Sequence, residues 1–493
     1  MNLLGIDIGS SSVKASVLEA ETGKCLGSVF FPENEMFIDA PQSGWAEQDP
    51  EIWWENTIKA VNSCIRNNNI KAESIKAIGI SYQMHGLVCI DKKHNVLRPS
   101  IIWCDSRAVE TGNKAFKKIG QKKCLENLLN SPGNFTASKL KWLKENEADI
   151  YKSIHKILLP GDYIALKMTG KINTTISGLS EGIFWDFKNN SVANFLLDYY
   201  DIDKNLLAEN YPSFAQHGKL NKEAATELGL LAGTPLTYRA GDQPNNAFSL
   251  NVLEPGEIAA TAGTSGVVYG LSEEIKYDRL SRVNTFAHVN HSADNQRLGV
   301  LLCINGTGIL NSWLRKNIGD KLSYNTMNNL ASEVAIGSNG LVILPFGNGA
   351  ERMLENKNIG SHILNLDFNI HSNKHLFRAA QEGIAFAFKY GMEIMSESGI
   401  IPETIRTGNT NMFQSKIFRE TLAGITGVNI ELYNTDGSIG AARGAGVGAG
   451  IYNSLSEAFE NLKRIATIEP PTNTEEYELS YQQWKTQLNN LTT

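Results

Sequence analysis

Residues 3–17, LLGIDIGSSSVKASV, open as an apolar run, stop at Asp7 and a turn of Gly9, Ser10, Ser11 and Ser12, then alternate through Val13, Ala15 and Val17. Apolar positions at period two on either side of a Gly and hydroxyl turn predict a strand, a turn and a second strand. The same device returns at residues 237–270, TYRAGDQPNNAFSLNVLEPGEIAATAGTSGVVYG. There a lone acidic residue, Asp242, sits in a small-residue turn, and an alternating strand pattern further on is broken by Gly263, Thr264, Ser265 and Gly266. Turns of this composition expose several backbone N–H groups on one side and so favour phosphate oxygens. An ordinary hairpin is an equal reading for the second turn alone. Its repetition fits a molecule that grips a polyphosphate from two sides, without the GxxxxGK[ST] loop, which is absent.

The remaining pattern alternates strands and helices. In SGWAEQDPEIWW (43–54), Asp49 followed by Pro50 predicts a helix start. SIKAIGISYQMHGLVCI (74–90) is a strand that stops at Met84, His85 and Gly86, where a turn exposes side chains. PSIIWCDSR (99–107) reads as a short strand ending in Asp105 and Arg107, which by themselves are a mutual surface pair. TASKLKWLKEN (136–146) has helical periodicity with its lysines opposite the apolar stripe, and VLLCINGTGILNSWL (300–314) runs from strand through a glycine turn into helix. LVILPFGNGAER (341–352) and IRTGNTNMF (405–413) are strands ending in glycine loops, and residues 375–395 form a long helix. DGSIGAARGAGVGAG (436–450) carries Gly and Ala at helical spacing, predicting two helices in near backbone contact.

Length adds domain count: 493 residues exceed one hydrophobic core, so two or three α/β domains are expected, with duplicated turns at the starts of two similar halves and an active site between them. A net charge of −6 argues against a nucleic-acid surface. The cysteines at 25, 64, 89, 104, 124 and 303 contain no CxxC pair and read as reduced, mostly buried thiols. The first residues lack the basic and apolar regions of a signal peptide, and no apolar run approaches the roughly 20 residues needed to span a bilayer. A cytoplasmic enzyme acting on small molecules is expected, with no nucleic-acid or membrane partner.

The ordered set DIGSSS, MHG, WCDSR, AGDQ, GTSG and TGNTN, followed by the Gly/Ala-rich segment, resembles the FGGY carbohydrate kinases of the actin-like ATPase superfamily along essentially the whole chain. Among the branches, SGWAEQDPEIWW and YQMHGLV look most like the xylulokinases. The resemblance implies two ribonuclease-H-like α/β domains, an N-terminal sugar-binding domain over residues 1–246 and a C-terminal nucleotide-binding domain over 247–493, with an interdomain cleft. It implies transfer of the γ-phosphate of ATP to a ketopentose hydroxyl, D-xylulose giving D-xylulose 5-phosphate. Asp242 occupies the position of the catalytic base and Asp7 that of the Mg²⁺-holding acid. Met84, His85, Trp103, Asp105 and Gln243 fall at or near the sugar, although Trp103 also reads as packing and Asp105 with Arg107 as a buried structural pair. Ser10, Ser11, Ser12, Thr264, Ser265 and Gly266 face the phosphates, and Gly308, Ser312, Gly408 and Asn409 line the nucleotide. Glu351 and Arg352 match a GER motif that orders its loop, and Lys14 reads either as a further phosphate donor or, in preference, as a solvent-facing strand lysine.

Several positions depart from the family pattern. Gly408, Asn409 and Thr410 replace three glycines, Met353 and Leu354 follow the GER motif in place of Thr and Pro, and Cys104 stands where Asn is common. Asn134 differs in the first family signature, and Asn365 and Gln381 in the second. The rival enzyme is a kinase of the same family for ribulose, gluconate or a related polyol. A rival of another class is a non-catalytic actin-like sensor of sugar and nucleotide, which has no need of a general base. A homodimer is left open.

Overall fold

The computed structural model describes residues 1–492. The chain divides into two compact units: Met1–Asn251 with Phe286–Leu298 and Thr435–Leu462, and Val252–Thr285 with Gly299–Asn434 and Lys463–Thr493.

The first unit is built on six strands: β1 (Asn2–Ile8), β2 (Val13–Glu19), β3 (Cys25–Phe31), β4 (Ile75–Tyr82), β5 (Gly218–Lys219) and β6 (Pro235–Gly241). Their order is β5-β6-β4-β1-β2-β3. β1 pairs antiparallel with β2 and parallel with β4, which pairs parallel with β6. The carboxyl ends of β1, β4 and β6 therefore share one edge, where ligands of open α/β sheets bind. Alternation decides what each face meets. Leu4, Ile6 and Ile8 join a core with Trp53 and Val61 of the helix Pro50–Asn67. Gly5 and Gly79 point the other way, against the helix Gly437–Gly448, where a Cβ would fall 1.8 Å from the Ser438 carbonyl or 2.0 Å from that of Ala441.

That contact corrects one expectation. The Gly/Ala-rich helix lies chiefly on a sheet, and among its glycines Gly440 meets the helix Asp242–Ser249, at Ser249. Two further expectations fail locally. The strand near residue 100 is only Ser100–Ile101, so Asp105 and Arg107 lie beyond it in a turn. In the helix Thr136–Asn146, Lys139 does not face solvent and is fully buried. Among the described residues the cysteines form no disulfide, with Cys104 and Cys303 exposed and Cys64, Cys89 and Cys124 buried.

The second unit repeats the plan with β7 (Glu257–Ala262), β8 (Gly266–Ser272), β9 (Leu298–Ile304), β10 (Thr404–Gly408), β11 (Asn429–Tyr433) and β12 (Arg464–Ile468), in the order β9-β8-β7-β10-β11-β12. β7 pairs antiparallel with β8 and parallel with β10, and β10 parallel with β11. The helix Asn373–Glu397 buries Phe377, Phe386 and Phe388 in this unit's core. Among the described residues no helix is long and apolar enough to cross a membrane.

Candidate functional site

In the first unit, β1 carries Asp7 and delivers the chain into the serine turn. Gly9 N–H donates to the Ser12 carbonyl at 3.0 Å, and Gln48 Nε2 donates to that of Ser10 at 2.7 Å. The Trp103 indole, 53% exposed, donates to Ser10 Oγ at 3.3 Å, so this side chain stands beside the turn. Burial holds the Asp7 carboxyl above its usual range; the Ser81 hydroxyl and Lys14 oppose this and Asp436 reinforces it. Lys14 is not simply solvent-facing: its Nζ pairs with Asp436 Oδ2 at 2.6 Å. Asp436 caps the helix Gly437–Gly448 through Ile439 N–H, and Gly437 allows the Asp7 carboxylate to approach, since a Cβ there would lie 2.3 Å from Asp7 Oδ2.

At the end of β4, Met84 is buried and His85 takes a left-handed backbone with φ of 63°. A non-glycine residue there is held by its surroundings. Lys139 Nζ donates to the carbonyls of His85 (2.9 Å) and Ile102 (2.8 Å). His85 Nδ1 donates to the Glu181 carbonyl at 2.9 Å, and the ring packs against Phe135 and Phe286. Burial lowers Lys139 to about 7, against the pull of Asp105.

At the end of β6, Asp242 is the first residue of the helix Asp242–Ser249 rather than part of a free turn, and it is half-buried beside Gln243. Burial, and next the charge of Asp7, push its carboxyl up to about 7, with hydrogen bonds from Gln243 opposing. Asp105, completely buried, accepts from Ala46 N–H at 2.6 Å and from Arg107 Nη2 at 2.7 Å. Arg107 continues to Glu47 Oε1 at 2.6 Å, and its guanidinium stacks 3.7 Å from the Trp45 ring centre. Of the two readings open for Asp105, the geometry supplies the buried pair with partners on both oxygens. Asn134, a departure from the family signature, donates to the Asp105 carbonyl.

In the second unit a cavity of about 710 Å³ is lined by Gly263, Thr264, Gly308, Ser312, Lys316, Tyr324, Asn325, Asn328, Thr410, Asn411 and Gln414, among others. Gly308 N–H donates to the Gly263 carbonyl at 2.9 Å, and a Cβ on Gly308 would lie 2.4 Å from that oxygen. Ser265 is exposed at the turn's tip, and Gly266 is buried with Phe388 and Thr307 where a Cβ would go. The loop after β10 lines the cavity through Thr410 and Asn411, whereas Gly408 and Asn409 stand just before it. Glu351, fully buried, accepts from the amides of Asn305 (3.0 Å) and Gly306 (2.8 Å), fixing the turn before the helix Gly308–Asn317. Gln381, another departure, is buried between Asn328 and Ser415 and bonded to both.

Sequence reasoning missed Gln48, Lys139, Asp436 and Glu181. Glu181 is a fully buried carboxyl at the end of the helix Ile176–Glu181, held well above the usual carboxylate range by burial and then by Asp242. Its signal is a single charge inside the small and apolar run SGLSEGIFW.

Residues 2–249 match the model of the FGGY family of carbohydrate kinases, N-terminal domain, and residues 258–449 that of its C-terminal domain. The chain is 28% identical over 498 residues to the xylulose kinase of Bacillus subtilis, covering 98% of this chain and 96% of that one. In fold it is similar to the crystal structures of xylulose kinase from Rhodospirillum rubrum (TM-score 0.89, 22% identity, 100% and 99% of the two chains) and gluconate kinase from Lactobacillus acidophilus (TM-score 0.90, 21% identity, 100% and 98%). The two α/β domains are thus of the ribonuclease-H-like, actin-like ATPase type.

Proposed function

The chain belongs to the FGGY family of carbohydrate kinases, phosphotransferases with an alcohol group as acceptor and ATP as co-substrate, and we propose that its acceptor is D-xylulose, converted to D-xylulose 5-phosphate in the cytoplasm. One observation carries the reading: a half-buried carboxyl, Asp242, held near neutrality at the same strand edge as the Met84 and His85 turn. The naming of the curated relatives as xylulose kinases supports the choice of sugar.

A sugar hydroxyl is a poor nucleophile, and Asp242, when ionised, takes its proton as the oxygen attacks the γ-phosphorus. Met84, His85, Trp103 and Gln243 contact the sugar; Asp105 serves by fixing the turn that carries Trp103. The serine turn of β1 and Thr264, Ser265 and Gly266 offer N–H and O–H donors to phosphate oxygens, and Gly308 and Ser312 line the nucleotide with the loop after Gly408 and Asn409. Among the described residues no group of three or more His, Cys, Asp or Glu could by itself hold a metal. Asp7, a carboxylate on the strand that runs into the serine turn, fits Mg²⁺, which takes one or two carboxylates and completes its shell with water and phosphate oxygens. When bound, Mg²⁺ would neutralise charge on the phosphates.

The test is ADP release with Mg-ATP over D-xylulose, D- and L-ribulose, gluconate, glycerol and no sugar. Release with D-xylulose alone is expected. Release with gluconate instead, the rival that the Lactobacillus gluconate kinase fold keeps in view, would keep Asp242 as base and move the error to Met84, His85 and Gln243. Silence across the panel would favour the sensor.

A further inference from the structure

We propose that Glu181 is a positioning residue for the sugar pocket, one that locks the His85 turn to the corner from which Asp242 projects. This rests on the reading of His85 as a sugar contact and Asp242 as the base.

Glu181 reaches both places at once. Its backbone carbonyl accepts from His85 Nδ1 at 2.9 Å, fixing the ring and its tautomer, and its Oε1 faces His85 N–H at 3.4 Å. Its Oε2 lies where a Cβ on Gly241 would be, 2.4 Å from the ideal position, with Met84 Cγ at 2.6 Å from the same point. The carboxyl is thus wedged between residues 84–85 and the residue preceding Asp242. The left-handed φ of 63° at His85 needs such restraint, because the conformation is unfavourable for a side-chain-bearing residue. The helix that ends in Glu181 is itself tied down: Ser177 Oγ donates to the Ala287 carbonyl at 2.9 Å and Ala287 N–H to Ser180 Oγ at 2.9 Å.

The titratable groups facing Glu181 from neighbouring elements are Asp242, Asp162 and Tyr82, with Lys139 on the helix Thr136–Asn146. Burial, and next the charge of Asp242, hold the Glu181 carboxyl well above the usual carboxylate range; the side chain turns Oε1 to the His85 N–H and fills the space beside Gly241 with Oε2. Glutamine reproduces that pattern; aspartate is one methylene too short, and alanine removes it.

The experiment measures KM for D-xylulose, KM for ATP and kcat in Glu181→Gln, Glu181→Asp and Glu181→Ala, with a thermal melt of each. Expected are a rise of about tenfold or more in sugar KM for Asp and Ala, an ATP KM within about twofold, and Gln within about threefold of the parent. Sugar KM unchanged in Asp and Ala, both KM values rising together, or Gln failing as badly as Ala would overturn the proposal. Where the Ala variant does not fold, the Asp and Gln pair decides. A parent enzyme that phosphorylates no sugar would defeat the functional reading instead, before any variant is made.

Discussion

The two units share a strand order and a glycine and hydroxyl turn between their first two strands, yet they are equipped differently. At the position before the last residue of its first strand, one carries Asp7, facing Lys14 across the ladder; the other carries Thr261, facing Val267. The first unit gathers Asp7, Asp242, Glu181 and Asp436 near its strand ends, where the charge of Asp436 raises Asp7, that of Asp7 raises Asp242 and that of Asp242 raises Glu181. The second has a cavity lined largely by amides and hydroxyls with Lys316, and its buried carboxylates are spent on structural partners, Glu351 on two backbone amides, Glu382 on Arg378 and Asp278 on Arg282. A fold can thus deliver a phosphate-suited turn twice through backbone alone. Charge must be added by side chains, and here the mutually interacting acids stand at the strand ends of the first unit.

If that division holds, substitutions in each unit should move different constants. Asp242→Asn should lower kcat by about 10²–10⁴-fold while D-xylulose binding, read by calorimetry, stays within about threefold; lost sugar binding would make Asp242 a sugar contact. Asp7→Asn should cost about 10²-fold in kcat/KM, partly recovered at raised Mg²⁺, and a loss insensitive to Mg²⁺ would remove Asp7 from the metal. Gly308→Ala, whose Cβ would collide with the Gly263 carbonyl, should raise ATP KM by about tenfold and lower stability by about 1–3 kcal/mol, with sugar KM unchanged. The smallest effect is expected from Asn409→Gly. The left-handed residue of that loop is Asn411, with φ of 53°, and not Asn409, so ATP KM should change by less than about threefold.

The parts legible in the sequence were those decided locally. Period-two alternation located β1, β2, β7 and β8, the Asp49 and Pro50 pair marked a helix start, and turn composition marked the Gly and hydroxyl turns between those strands. The illegible parts depend on partners distant in the chain. Glu181 meets His85 across 96 residues, and neither neighbourhood names the other. Asp105 and Arg107 look like a surface pair until Trp45, 62 residues before Arg107, covers the guanidinium. Small residues at helical spacing announced a close approach at 436–450, but β1 and β4 on the receiving side were hidden in Gly5 and Gly79. Lys139 shares its helix with the half-buried Lys141 and Lys144, and only the fold buries it completely beneath the His85 turn.

The most direct test of the central claim, that the first unit supplies a carboxylate base held near neutrality, is the pH dependence of kcat/KM for D-xylulose. A base works deprotonated, and burial raises the Asp242 carboxyl to about 7, so activity should be full above that pH and fall about tenfold per unit below it. A profile flat from about pH 5.5 to 8.5 would contradict the account, because a carboxyl with that environment could not stay ionised through the range.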